Sequence, residues 1–129
     1  MQPSGPSILT SYFAAVPQLA DQYPNHALVS IARRKPDWLE LPTWFQLAPS
    51  RNLLWSYKNG DVTEEQFTET YLLRLGMMNA KATVGALVDC YGPRLVLLCW
   101  ERPYEFCHRK LAARWLLAEG GVEVLEAIL

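Results

Sequence analysis

The chain has 129 residues, half of them apolar, with 12 basic and 13 acidic side chains and a net charge of −1. That length suits a single domain burying about two thirds of its unfolded surface, and the composition excludes a disordered chain. So even a charge balance gives no general attraction to nucleic acid or to an anionic membrane, and neither is expected as a partner.

Residues 1–7 carry two prolines and a glycine and read as a flexible lead-in. Met1 is not followed by a basic and then an apolar stretch, so no secretory leader is expected. The longest apolar run, Leu95–Trp100, is too short to span a bilayer. Three cysteines, Cys90, Cys99 and Cys107, are too few for a secreted disulfide scaffold. A cytoplasmic location follows as the expectation.

Ile8–Phe13 reads as a first strand and Pro17–Pro24 as a turn or short helix. Ala27–Ala32 is a compact β-prone run, a buried strand that empties into the basic bend Arg33-Arg34-Lys35-Pro36. Residues 36–50 hold three prolines and two tryptophans, a long aromatic loop of the kind that often carries function. Ser50 is placed to cap a short helix bearing Leu53, Leu54 and Tyr57, which Asn59-Gly60 ends. Thr63 and Gln66 have capping-box spacing, and the helix they start sets Phe67, Tyr71 and Leu75 on one side, with Glu64, Glu65 and Glu69 on the exposed side.

Asn79 caps a further helix in which Val84, Leu87, Val88 and Tyr91 recur at helical spacing until Gly92-Pro93. Arg94–Cys99 then reads as the central buried strand. A helix over about Cys107–Ala118 follows, stopped by Gly120-Gly121, and Val122–Leu129 supplies a last strand with a helical fragment beyond it. Strands alternating with helices predict an α/β chain: a small, single-domain, three-layer Rossmann-like fold with a mostly parallel sheet of about four strands.

Such sheets bind ligands beyond the carboxyl ends of their strands. The segments expected there are Ser11-Tyr12, Arg33-Arg34-Lys35 and Cys99-Trp100-Glu101, beside the helix that begins near Cys107. Unpaired N–H groups at a helix start favour negative charge. They can lower a thiol pKa from about 8.5 to roughly 3.5–7.5.

Three functional readings follow. In the first, a small anionic or nucleotide-like ligand is held by Arg33, Arg34 and Arg109, with Ser11, Tyr12 and Trp100 around it; Trp38 or Trp44 could stack on a base. In the second, Cys107 or Cys99 is a nucleophile with His108 as base and Glu101 as acid or orienting group. Neighbouring helical residues diverge by about 100°, which sets Cys107 and His108 at odds. In the third, the loop over residues 36–46 docks a protein partner. Each residue also has a structural reading: buried cysteines are common core residues, and a basic triplet is commonly a solvated turn.

Other chemistries fail on spacing. The residue six places after Cys99 is Glu105 and after Cys107 is Ala113, so no phosphatase loop ending in arginine exists. No glycine-rich phosphate loop is present. Cys99, Cys107 and His108 lack the short paired spacing of zinc knuckles, and Cys90 lies on a separate helix, so no metal site is expected. No cofactor can be assigned.

Three segments resemble the DUF488 family (domain of unknown function 488). Leu28–Arg33 followed by Pro36 is similar to its second strand and Arg/Pro loop. Leu47-Ala48-Pro49-Ser50, with Phe67 and Tyr71, resembles its Leu-Ala-Pro segment and Phe-x-x-x-Tyr helix. Leu97-Leu98-Cys99-Trp100-Glu101 with Cys107-His108-Arg109 resembles its closing signature. The resemblance covers most of residues 8–125. It implies a compact α/β fold and a site around Cys99, Glu101, Cys107, His108, Arg109 and Arg33, without supplying a substrate.

Overall fold

A computed structural model describes residues 5–129; the first four residues of the expected lead-in lie outside them. Four strands run parallel in the order β2-β3-β1-β4: β1 (Ser7–Tyr12), β2 (Ala27–Ser30), β3 (Arg94–Cys99) and β4 (Val124–Glu126). Five α-helices join them: α1 (Val16–Gln22), α2 (Arg51–Lys58), α3 (Glu64–Gly76), α4 (Ala80–Tyr91) and α5 (His108–Gly120). This is the expected three-layer α/β architecture with a four-stranded sheet, here entirely parallel. No helix among the described residues is long and apolar enough to cross a membrane.

Side chains on a strand alternate between faces, and β3 uses both. Leu95 and Leu97 join Ile8, Val29 and the buried faces of α3, α4 and α5, including Phe67, Tyr71, Leu87, Leu111 and Leu116. Val96 and Leu98 join Phe13 and Leu19 on the opposite face, against α1. A strand buried on both sides reads as an unbroken apolar run, which explains Leu95–Leu98. Tyr71 is fully buried, and its hydroxyl donates to the Leu47 carbonyl at 2.6 Å, tying α3 to the loop before α2.

The helix boundaries follow their capping residues. Ser50 Oγ accepts from Leu53 N–H, Asn79 Oδ1 from Ala82 N–H, and Thr63 with Gln66 forms the reciprocal box. Gly92 at φ 94° takes a conformation that L side chains rarely adopt, and it turns α4 into β3.

Two ends differ from expectation. β2 stops at Ser30, because Ser30 N–H and C=O turn to Pro42 and Trp44 of the following loop. The final strand shrinks to three residues with no helix after it, since only Ile8, Leu9 and Thr10 of β1 stand opposite.

Candidate functional site

The carboxyl ends of β2 and β3 border a cavity of about 380 Å³ lined by Ala32, Arg33, Arg34, Pro49, Leu54, Lys58, Trp100, Glu101 and His108. That volume suits a small ligand. Arg33 is anchored: its Nε donates to the Pro49 carbonyl at 3.1 Å, and its guanidinium lies 5.5 Å from the Phe45 ring centroid. Among the described residues neither Arg33 nor Lys58 forms an ion pair, and Arg34 has only a loose, exposed pair with Asp37 at 3.9 Å. Lys35 is already engaged, donating to the Leu39 carbonyl and closing its own loop. Trp100 donates its indole N–H to the Arg34 carbonyl at 2.7 Å and packs edge-on against Phe13 and Trp38, yet stays 47 % exposed.

His108 is buried at this cavity. Its Nε2 lies 2.6 Å from the Ile31 carbonyl. A carbonyl only accepts, so Nε2 carries the proton. Burial pushes the imidazole down to about 4, with Arg109 adding to the effect and the Ile31 carbonyl opposing it. His108 is therefore neutral at physiological pH.

Three residues expected at the ligand, Ser11, Tyr12 and Arg109, do not line the cavity. Ser11 sits fully buried within the sheet opposite Leu98, its Oγ unpartnered, because β1 runs one residue beyond it. Tyr12 is half-buried and turns to the Arg102 guanidinium, 5.9 Å from its ring centroid.

Arg109 is fully buried and committed internally. Its Nε and Nη2 reach Glu126 Oε1 and Oε2 at 3.1 and 2.9 Å, and its Nη1 donates to the Glu101 carbonyl and to Cys99 Sγ, the latter at 2.9 Å. Guanidinium forks suit such two-pronged pairing, and four of the five N–H donors are spent inside the protein. Its partner Glu126 and the cavity residue Lys58 have no signal in motif spacing; only the folded chain brings them in.

Cys99 and Cys107 are both buried and their sulfurs are bonded to each other. Neither presents a thiolate to the cavity. The divergence expected between Cys107 and His108 does not apply. Cys107 is the N-cap of α5, with extended backbone at φ −149° and ψ 138°, so it stands off the helical wheel. Donor atoms of Cys99, Cys107 and His108 accordingly lie within 4.8 Å of one another. Sequence spacing missed this because a strand end and the next helix start meet in space whatever the loop between them. Cys90 is exposed on α4, apart from the cluster.

Trp38, expected to stack or dock, is 72 % exposed, whereas Trp44 is half-buried against Tyr91.

No curated protein and no solved structure matches this chain. The family profile described as the active DUF488-N3 subclade (DUF488-N3a) matches residues 18–120, which takes in the basic bend, the cavity lining and the Cys-His-Arg segment. Well over half of its length is matched, and the chain belongs to the DUF488 family.

Proposed function

We propose that this chain binds a small anionic ligand, phosphate-bearing and nucleotide-like, at the carboxyl ends of β2 and β3. The observation that carries the reading is the convergence of Arg33, Arg34 and Lys58 on one cavity of about 380 Å³, against a single carboxylate, Glu101. An excess of cations in a walled hollow concentrates anions. Trp100 offers a partly exposed indole for a base or other planar group. The strand ends of parallel sheets are where such ligands ordinarily sit. The description of the matched subclade as active agrees with this chain having a working site.

Isothermal titration against a nucleotide panel with inorganic phosphate and pyrophosphate tests the proposal. A charge-assisted hydrogen bond is worth about 1.5–3 kcal/mol, so Arg33→Ala and Lys58→Ala should each weaken binding by roughly 10- to 150-fold. Absence of binding across the panel, or binding unchanged in both variants, would refute it.

A further inference from the structure

We infer that the reduced chain holds one zinc ion through Cys99, Cys107 and His108. This goes beyond the anion-binding reading and does not depend on it. Two thiolates and an imidazole form a donor set that selects zinc among the divalent ions. The three donor atoms already lie within 4.8 Å of one another, and all three residues are buried. They leave one position of a tetrahedral ion for a water or an anion.

Two features of the surroundings fit a metal. A metal-binding histidine usually donates its second ring N–H to a carbonyl or carboxylate, which fixes the ring and its tautomer. His108 does this toward Ile31 O at 2.6 Å, leaving Nδ1 with a free lone pair. Cys99 and Cys107 have Cα atoms 7.6 Å apart, outside the span of about 4.4–6.8 Å usual for disulfides, and two ligands of one ion tolerate that separation.

The charge also balances. Zn²⁺ with two thiolates is neutral, and the neighbouring Arg109 is neutralised by Glu126, so the buried cluster carries no net charge. Arg109 Nη1, which donates to Cys99 Sγ, would then stabilise that sulfur as a thiolate.

In the oxidised chain the two sulfurs are joined. A dithiol reductant opens that bond, closing its own disulfide and transferring two electrons and two protons to give Cys99 and Cys107 thiols. Zinc then displaces both thiol protons as two Zn–S bonds form.

The test is metal analysis of the full chain purified under reductant. One zinc per chain is expected, and Co²⁺ added to the chelator-stripped protein should give a thiolate-to-metal charge-transfer band. Cys99→Ser, Cys107→Ser and His108→Gln should each weaken Zn²⁺ binding at least 100-fold, whereas Cys90→Ser should leave it unchanged. Should the ligand variants fail to fold, alkylation of the wild-type chain decides: Zn²⁺ should protect Cys99 and Cys107 from iodoacetamide but not Cys90. Folded, reduced protein that binds neither metal, a cobalt spectrum without the thiolate band, or cysteines that label equally with and without Zn²⁺ would overturn the assignment.

Discussion

Replacing Glu126 with alanine should destabilise the chain far more than its place near the sheet edge suggests. Glu126 takes two hydrogen bonds from the fully buried Arg109 and a third, at 2.7 Å, from Thr10 Oγ1. Glu126→Ala therefore leaves a buried guanidinium without its counter-charge and a buried hydroxyl without its acceptor. Breaking a buried ion pair from one side costs about 3–5 kcal/mol. The Glu126 side chain is 28 % exposed, so water can reach the gap and the lower end applies. The expected loss is about 3 kcal/mol. With unfolding entropy near 2.1 cal/mol/K per residue, a chain of this size loses roughly 10 °C in Tm.

Urea unfolding followed by circular dichroism measures the loss. Hydrogen exchange locates it: the Ala127 amide, bonded to Thr10 O at 2.8 Å, should lose protection as β4 loosens. The paired replacement Arg109→Leu with Glu126→Leu should recover to within about 1 kcal/mol of the parent, because the stranded charge is then removed with its partner. A Glu126→Ala cost below about 1 kcal/mol would show that Arg109 is solvated, and the argument for its internal role would fail.

Two further substitutions probe the scaffold. Tyr71→Phe strands the Leu47 carbonyl and should cost about 1–2 kcal/mol by urea unfolding. Burial holds the Tyr71 phenol above its usual 10, so above pH 10 the unfolded chain releases a proton that the folded chain keeps. The urea midpoint should accordingly fall between pH 9 and pH 11 in the parent, more steeply than in Tyr71→Phe. Gly92→Ala adds a Cβ that meets nothing within 4 Å, so its cost, about 1–2 kcal/mol in the same assay, is backbone strain at φ 94° alone. An unchanged midpoint would show that the turn into β3 relaxes.

Local signals in the sequence carried far because each rests on interactions between near neighbours. Ser50, Thr63, Gln66 and Asn79 cap where their spacing says, and Leu95–Leu98 forms an interior strand. The basic bend and Trp100 also reach the expected end of the sheet. What stayed hidden depends on pairings between distant segments. Arg109 looks like a ligand group until Glu126, 17 residues later, arrives on β4 to neutralise it. Lys58 ends α2 without any distinguishing neighbour, yet the folded chain brings it to the same cavity as Trp100 and Glu101. Ser11 and Tyr12 stand near a strand end in the sequence, whereas β1 runs on past Ser11 and keeps it buried inside the sheet.

The Cys-His-Arg segment acquires its logic from strand order. β3 has β2 on one side and β1, then β4, on the other. Successive residues at the start of α5 diverge by about 100°, and the helix starts beside the end of β3. His108 thus reaches the β2 side, where it meets Ile31 at the cavity, and Arg109 reaches the β4 side, where it meets Glu126. Cys107, still extended, turns back to Cys99 at the end of β3 itself. Three consecutive side chains therefore tie one helix start to three parts of the sheet. A substitution at Arg109 should loosen the β4 edge, whereas one at His108 should disturb the cavity. Moving the helix start by a single residue would rotate all three away from their partners at once.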